Sequence, residues 1–336
     1  MQIFYPIRGI PSYAPVGYNN LTNWPAINGL AGFTKSNRPL VSGSTINWIG
    51  PTLSDLGGAV LSTANDIPQS ISLTASGVVT TSANGQVIDK LLVTGTTGSA
   101  GIIVQHNNVT IQRCFVNGGN TNGNASAIGV ASGVTGLVIQ DCQLFGSGSD
   151  AGACYTVGNS AGVANAVGAF NMYRCNLYGG IKQIGQVESN VGVYDTLFHG
   201  GVGNDNDHFA MWGGSTNVNV QHCYFTDVDN SATAKPSDSA INCGTYLGNV
   251  PGPITVNNCG FYMPNYNSGH TVLFQASYTP GGTIGGITIT NNGIVSPYTW
   301  NWYGFTGSTI LANANNFNMA TSTDTNGTLV NGTGAL

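Results

Sequence analysis

Proton-moving side chains are scarce in this sequence, and several of them gather in one recurrent setting. Asp150, Lys182, Asp207, His208, Asp238 and His270 each stand at the leading edge of a short apolar segment. Paired carboxylates such as Asp207 and Asp238 suit glycoside hydrolysis, with one as acid and the other as base or nucleophile. A His or Lys base, here His208, His270 or Lys182, suits β-elimination from a uronic acid. The cluster holds no Arg to face a substrate carboxylate, which weighs against the lyase chemistry. The competing reading is that these groups cap turns and tie down loops. Asp207, His208, Asp238 and His270 are therefore the candidate catalytic residues, with carboxylate spacing left open.

Two further groups could serve a ligand. Lys182, Trp212 and Tyr246 are candidate substrate-binding residues, because flat rings in loops stack on sugar faces. Asp205, with Asp207 two residues on, and the pair Asp227 and Asp229 place carboxylates on successive repeats, which could hold Ca²⁺ through oxygen ligands. No EF-hand-type loop is present, and Asp-rich turns are commonly only turns.

Composition narrows the partners. Of 336 residues, 8 are Lys or Arg and 13 are Asp or Glu, so the formal net charge is -5 and 6% of residues are charged. Soluble domains ordinarily carry roughly 25% charged residues. So few cations exclude the basic footprint that nucleic acid or an anionic membrane requires. No apolar run approaches the about 18–20 residues of a membrane-spanning helix. The opening residues, Met1 to Arg8, lack a basic stretch followed by an apolar one, so no signal peptide is expected. The 7 cysteines include no CxxC pair, which argues against a disulfide framework and a zinc site. Synthesis in a reducing cytoplasm follows. A surface of amides and hydroxyls suits neutral sugars, or an inert wall.

The elements that must position these groups are set by a repeat. A short motif recurs as Val109–Val116, Leu137–Leu144, Phe170–Leu177, Val191–Phe198, Val218–Phe225, Ile254–Phe261 and Ile287–Ile294, with a weaker first copy around Leu91. Take Leu91, Cys114, Cys142, Cys175, Thr196, Cys223, Cys259 and Asn292 as position zero. Position -3 then reads Ile88, Ile111, Ile139, Met172, Val193, Val220, Val256 and Ile289. Position +2 reads Val93, Val116, Leu144, Leu177, Phe198, Phe225, Phe261 and Ile294. Every residue in both columns is apolar. Alternation at -5 and -3 predicts a strand with one buried face, and the parity break before +2 predicts a bend. Glycines at +4 (Gly95, Gly118, Gly146, Gly179, Gly200) suit the following turn.

Successive zero positions lie 23, 28, 33, 21, 27, 36 and 33 residues apart, as loops of varying length between fixed strands would make them. With no helical pattern between copies, the expected fold is all-β: a parallel β-helix solenoid whose repeats stack on one another. Each repeat should carry one more strand, at Ala127–Val130, Cys154–Val157, Ile181–Ile184, His208–Trp212, Ala240–Cys243, Thr271–Phe274 and Trp302–Phe305. Asp207 and His270 each fall eleven residues past a zero position, so they should share a flank, with Asp238 between. The zero column reads as buried thiols, and the -1 column as Lys90, Arg113, Asp141, Arg174, Asp195, His222, Asn258 and Asn291, whose signs alternate from Arg113 onward. Cross-strand ion pairing explains Asp141 and Asp195 better than catalysis does.

The run Asn107–Gly119 (NNVTIQRCFVNGG), preceded by Gly85–Gly95 (GQVIDKLLVTG), resembles the pectate-lyase-like right-handed β-helix superfamily, and within it the β-helix proteins carried by tailed phages. The resemblance covers about residues 70–310. It implies a right-handed solenoid over 71–310, capped by a non-repeat segment 1–70 that attaches to other virion proteins and by a tail, 311–336. The proline- and aromatic-rich first 70 residues include one stretch, Leu53–Ala64, that could form a short capping helix. The resemblance further implies a virion-surface location, or alternatively secretion, and host surface polysaccharide as partner. It makes a homotrimer one option for assembly. Because the superfamily includes lyases, hydrolases and inert spikes, three functions stay open: glycan recognition, glycan cleavage and a purely structural role.

Overall fold

In the computed structural model the described residues are 41–42, 45–46, 74–76, 328–329 and most of 78–318. Within 78–318 they exclude 90, 95–99, 113, 119–125, 147–154, 160–168, 181, 200–206, 227–238, 247, 263–271, 277–279, 291, 296–308 and 315–316. The expected capping helix, the strand at Trp302–Phe305 and nearly all of segment 1–70 lie outside the described residues. Among those described there is no α-helix, and none is long and apolar enough to cross a membrane.

The protein is all-β, built mostly from short strands that pair in parallel with their counterparts one repeat away; two antiparallel pairs, Val41–Ser42 with Thr45–Ile46 and Phe317–Asn318 with Thr328–Leu329, lie towards the ends. Each repeat contributes three, exemplified by a leading strand Ile128–Val130, a middle strand Leu137–Gln140 and a trailing strand Gln143–Gly146. Leading and middle strands belong to a 15-stranded sheet and trailing strands to an 11-stranded one. In two repeats the leading and middle strands merge into one long bent strand, Lys182–Tyr194 and Asp207–Gln221. Stacking continues past residue 310, where Ile310–Ala314 pairs with Ile287–Thr290 and Phe317–Asn318 with Gly293–Ile294. These stacked parallel sheets are compatible with a β-helix-like fold.

Register follows the motif. Ile139 lies opposite Ile111 and Met172, Val193 opposite Met172 and Val220, and Val256 opposite Val220 and Ile289. All eight residues at -3 are buried, as are those at +2 from Val93 to Phe261. Phe198, Phe225 and Phe261 stack face to face at 4.5 and 5.0 Å between centroids. Identical positions thus form continuous interior columns, each burying apolar area worth roughly 25 cal/mol per Å².

The bend between middle and trailing strands has a specific backbone solution. Position -1 is left-handed at Asp141, Arg174, Asp195, His222 and Asn258, with φ of 54, 50, 50, 55 and 58°. Such a conformation costs a non-glycine residue roughly 1–2 kcal/mol. The neighbouring repeat offsets this, because the -1 amide still donates to its -2 carbonyl, as from Asp141 to Tyr173 at 3.0 Å and from Arg174 to Tyr194 at 3.1 Å. A second left-handed column, at -6, precedes the middle strand and holds Gly85, Asn108, Gly136, Asn190, Asn217 and Gly286. At the far end of the trailing strand, Gly179 has φ +69°, and a Cβ there would meet the Gly146 carbonyl oxygen at 2.2 Å.

The zero column finishes the bend. The Cys175 amide donates to Thr196 Oγ1 at 3.3 Å, the Cys259 amide to Asn292 Oδ1 at 2.8 Å and the Cys114 amide to Cys142 Sγ at 3.4 Å. In return the zero side chain donates to a carbonyl one repeat back: Cys142 to Ile111 at 3.7 Å and Asn292 Nδ2 to Val256 at 3.1 Å. Cys, Thr and Asn share what this place needs, a small group that both donates and accepts. The described thiols are free and buried. Burial pushes Cys142 and Cys223 well above the usual thiol range, and Cys243 up as well.

Two outcomes are expected. Replacing Val220 with Asp leaves an unpaired charge in the interior and lowers unfolding stability by about 3–5 kcal/mol, measured by denaturant titration; wild-type stability would refute the inward column. Cys142, Cys223 and Cys243 should resist iodoacetamide in the native protein and label on denaturation, read by peptide mass. The unfolded chain ionises thiols near about pH 8.5 while the fold keeps them protonated. Stability should therefore fall as pH rises above that value.

Candidate functional site

The leading strands bring part of the sequence-predicted cluster together. Lys182, Asp207 and Ser239 occupy one register column, two residues ahead of the buried column Ile184, Phe209 and Ile241. A lysine and an aspartate one repeat apart at a buried position can persist only as a pair. Lys182 Nζ donates to Asp207 Oδ2 at 2.7 Å, with side-chain exposures of 4% and 1%. Ser239 Oγ donates to the other carboxylate oxygen, and Asn242 Nδ2 donates to Oδ2 at 3.1 Å. Three donors therefore surround Asp207. Beside it His208, also wholly buried, bonds through Nδ1 to Gln183 Oε1 at 2.9 Å.

Outward from this network lie two aromatic rings. Lys182 Nζ sits 5.4 Å from the centroid of Trp212, within cation–π range. The Trp212 ring is half-buried and meets Tyr246 at 5.2 Å with an interplanar angle of 50°. Tyr246 is 39% exposed. Trp212 Nε1 and Asn242 Oδ1 are covered yet have no hydrogen-bond partner among the described residues. An unmatched buried polar atom costs roughly 1–3 kcal/mol.

Of the candidate residues, Lys182, Asp207, His208, Trp212 and Tyr246 are described and lie around this network. Asp238 and His270, and the calcium candidates Asp205, Asp227 and Asp229, lie outside the described residues. Among those described, no group of three or more His, Cys, Asp and Glu gathers as a metal site. Ser239, Asn242 and Gln183 escaped the sequence reading. Their signal is weak: they are polar residues inside wholly buried stretches such as Ser239–Gly244, which read as filler until the register places them against Asp207 and His208.

The -1 column pairs across repeats. Arg174 donates twice to Asp141, at 2.6 and 2.8 Å, and His222 Nδ1 bonds to Asp195 Oδ1. These groups are a quarter exposed, so each pair contributes at most about 1 kcal/mol. They close charge on the outer wall. No protein-family model matches the chain, and no curated protein or solved structure matches it.

Removing the carboxylate strands a buried ammonium. Asp207→Ala should lower unfolding stability by about 3–5 kcal/mol, and adding Lys182→Met should restore most of it. Equal stability of Asp207→Ala and wild type in denaturant titrations would show that the network is open to water.

Proposed function

We propose that this chain is a right-handed parallel β-helix displayed on a phage virion, where it binds neutral polysaccharide of the host surface. One observation carries the binding reading: the Trp212–Tyr246 ring pair, held against the enclosed Lys182–Asp207 network with one ring open to solvent. Sugar recognition needs an apolar ring face, which the partly exposed Trp212 and Tyr246 rings supply. In this reading Lys182 and Asp207 are positioning residues that fix the tryptophan.

Chemistry of the wall supports a neutral ligand. Only 6% of residues are charged, and on the described wall Arg174 is neutralised by Asp141. The virion placement is supported by the likeness of residues 107–119 to phage-borne β-helices, and by an interior of free thiols suited to folding in a reducing cytoplasm. Enclosure of Asp207 and His208 favours recognition over cleavage.

A glycan array with the purified full chain, paired with a reducing-sugar assay on every glycan that binds, tests this directly. Binding without release of reducing ends is expected. Trp212→Ala and Tyr246→Ala should each weaken affinity about tenfold or more, equivalent to about 1.4 kcal/mol, with the melting temperature of Tyr246→Ala little changed. Absence of binding by the wild-type chain, or unaltered affinity in both variants, would overturn the reading.

A further inference from the structure

A second pair of rings lies on the outward face of the middle strands, away from the residues discussed so far. Tyr173 and Tyr194 are register partners in adjacent repeats. Their rings lie 5.1 Å apart and within 10° of parallel, and both are half-exposed. The strand that supplies Tyr194 has cleared room for it. A Cβ at Gly192 would come within 2.6 Å of the Tyr194 ring, 2.8 Å of its hydroxyl and 2.5 Å of Asn171 Oδ1. The tyrosine thus folds back over a position without a side chain, beside the Asn171 amide. On its other side Asn219 Nδ2 donates to the Tyr194 hydroxyl at 3.3 Å.

Cross-strand tyrosines also occur as plain packing devices, and ring contact alone would be explained that way. Packing leaves one atom unexplained. Asn219 Oδ1 is covered and has no donor, although its amide is fixed by the tyrosine hydroxyl. Elsewhere in the Tyr173 column the outward side chains satisfy one another, Gln140 donating to Gln112 at 2.8 Å and Thr290 to Asn257 at 2.9 Å. Beside these two partly exposed rings, a covered acceptor has no donor among the described residues. Burial pushes both phenol groups up, so they stay neutral donors at ordinary pH.

We propose that Tyr173, Tyr194, Asn171 and Asn219 form a second sugar subsite that takes a neutral pyranose residue, resting on the polysaccharide-binding reading above. Among the described residues the flanking charges, Arg174 with Asp141 and His222 with Asp195, are already paired, which favours a neutral sugar over a uronate. A hexose presents an apolar face of C–H groups to the tyrosine edge, and its hydroxyl takes Asn219 Oδ1 as the Asn219 side chain turns outward to meet it. Strand Asp207–Gln221 carries both Trp212 and Asn219, which ties the two subsites to one element.

The test uses the full chain with gluco-, galacto- and mannohexaose, and hexagalacturonate as the acidic counterpart. Tetranitromethane nitration of wild-type protein, mapped by peptide mass, should modify Tyr173 and Tyr194 when free and spare both with a bound neutral hexaose. Tyr194→Ala should weaken that hexaose about tenfold in calorimetry, whereas Tyr194→Phe should keep most affinity. If the hexaose binds and Trp212→Ala weakens it, yet nitration of both tyrosines is undiminished, this subsite is refuted and the binding reading stands. Tighter binding of hexagalacturonate overturns the neutral-sugar assignment. No binding by any neutral hexaose overturns both readings.

Discussion

The fold depends on how the backbone leaves one strand and enters the next without losing its hydrogen bonds. A parallel ladder runs smoothly along straight strands, but each repeat must turn between middle and trailing strand, and there the regular pattern breaks. The turn places -1 in the left-handed region and leaves the zero amide without a carbonyl partner. The next repeat repairs the break with its own zero side chain, as Thr196 does for Cys175 and Asn292 for Cys259. A repeat is therefore incomplete alone. Its bend is finished by its neighbour, which forces identical positions into register and leaves little freedom for slippage.

Register has chemical consequences. Once Ile184, Phe209 and Ile241 share a column, Lys182, Asp207 and Ser239 must share the one two residues ahead. A lone buried lysine would lose its charge or unfold the strand; set one rung from a carboxylate, it becomes a strut. The same rule stacks Tyr173 on Tyr194 outside and Phe198 on Phe225 inside. Interior and surface features thus share one origin, the rung spacing of about 4.8 Å.

Much of this was legible in the residues. Alternating apolar positions with a parity break announced the inward columns, and Ile88 to Ile289 are all buried. Alternating charge at -1 announced the pairs Asp141–Arg174 and Asp195–His222. Two things stayed hidden. The left-handed -1 position was not read, because it holds Arg174 as well as Asp141, Asp195, His222 and Asn258, and the alternation of charge drew attention away from the Asp, His and Asn residues that tolerate that backbone. And cysteine reads as a small apolar filler, so its role as donor and acceptor emerges only from the carbonyls it faces. In the buried network, Asp207 and Lys182 drew attention because charges are rare here; Ser239 and Asn242 did not, because serine and asparagine are common throughout this sequence.

Rarity of charge also bears on what the surface can recognise. A wall with few free ions gains little from long-range attraction, so any ligand must be held by close contacts: ring faces, amides and hydroxyls. Such contacts are individually weak, and a ligand that repeats along its length can use several at once. A stacked-repeat protein offers the matching geometry, because each rung can present one more side chain at a constant interval. In this chain the aromatic pairs occur on adjacent repeats, and each lies beside a polar atom with no internal partner. Unmatched buried atoms occur also at Ser126 and Asn258, so what sets this wall apart is its rings, brought together from neighbouring repeats by the shared register.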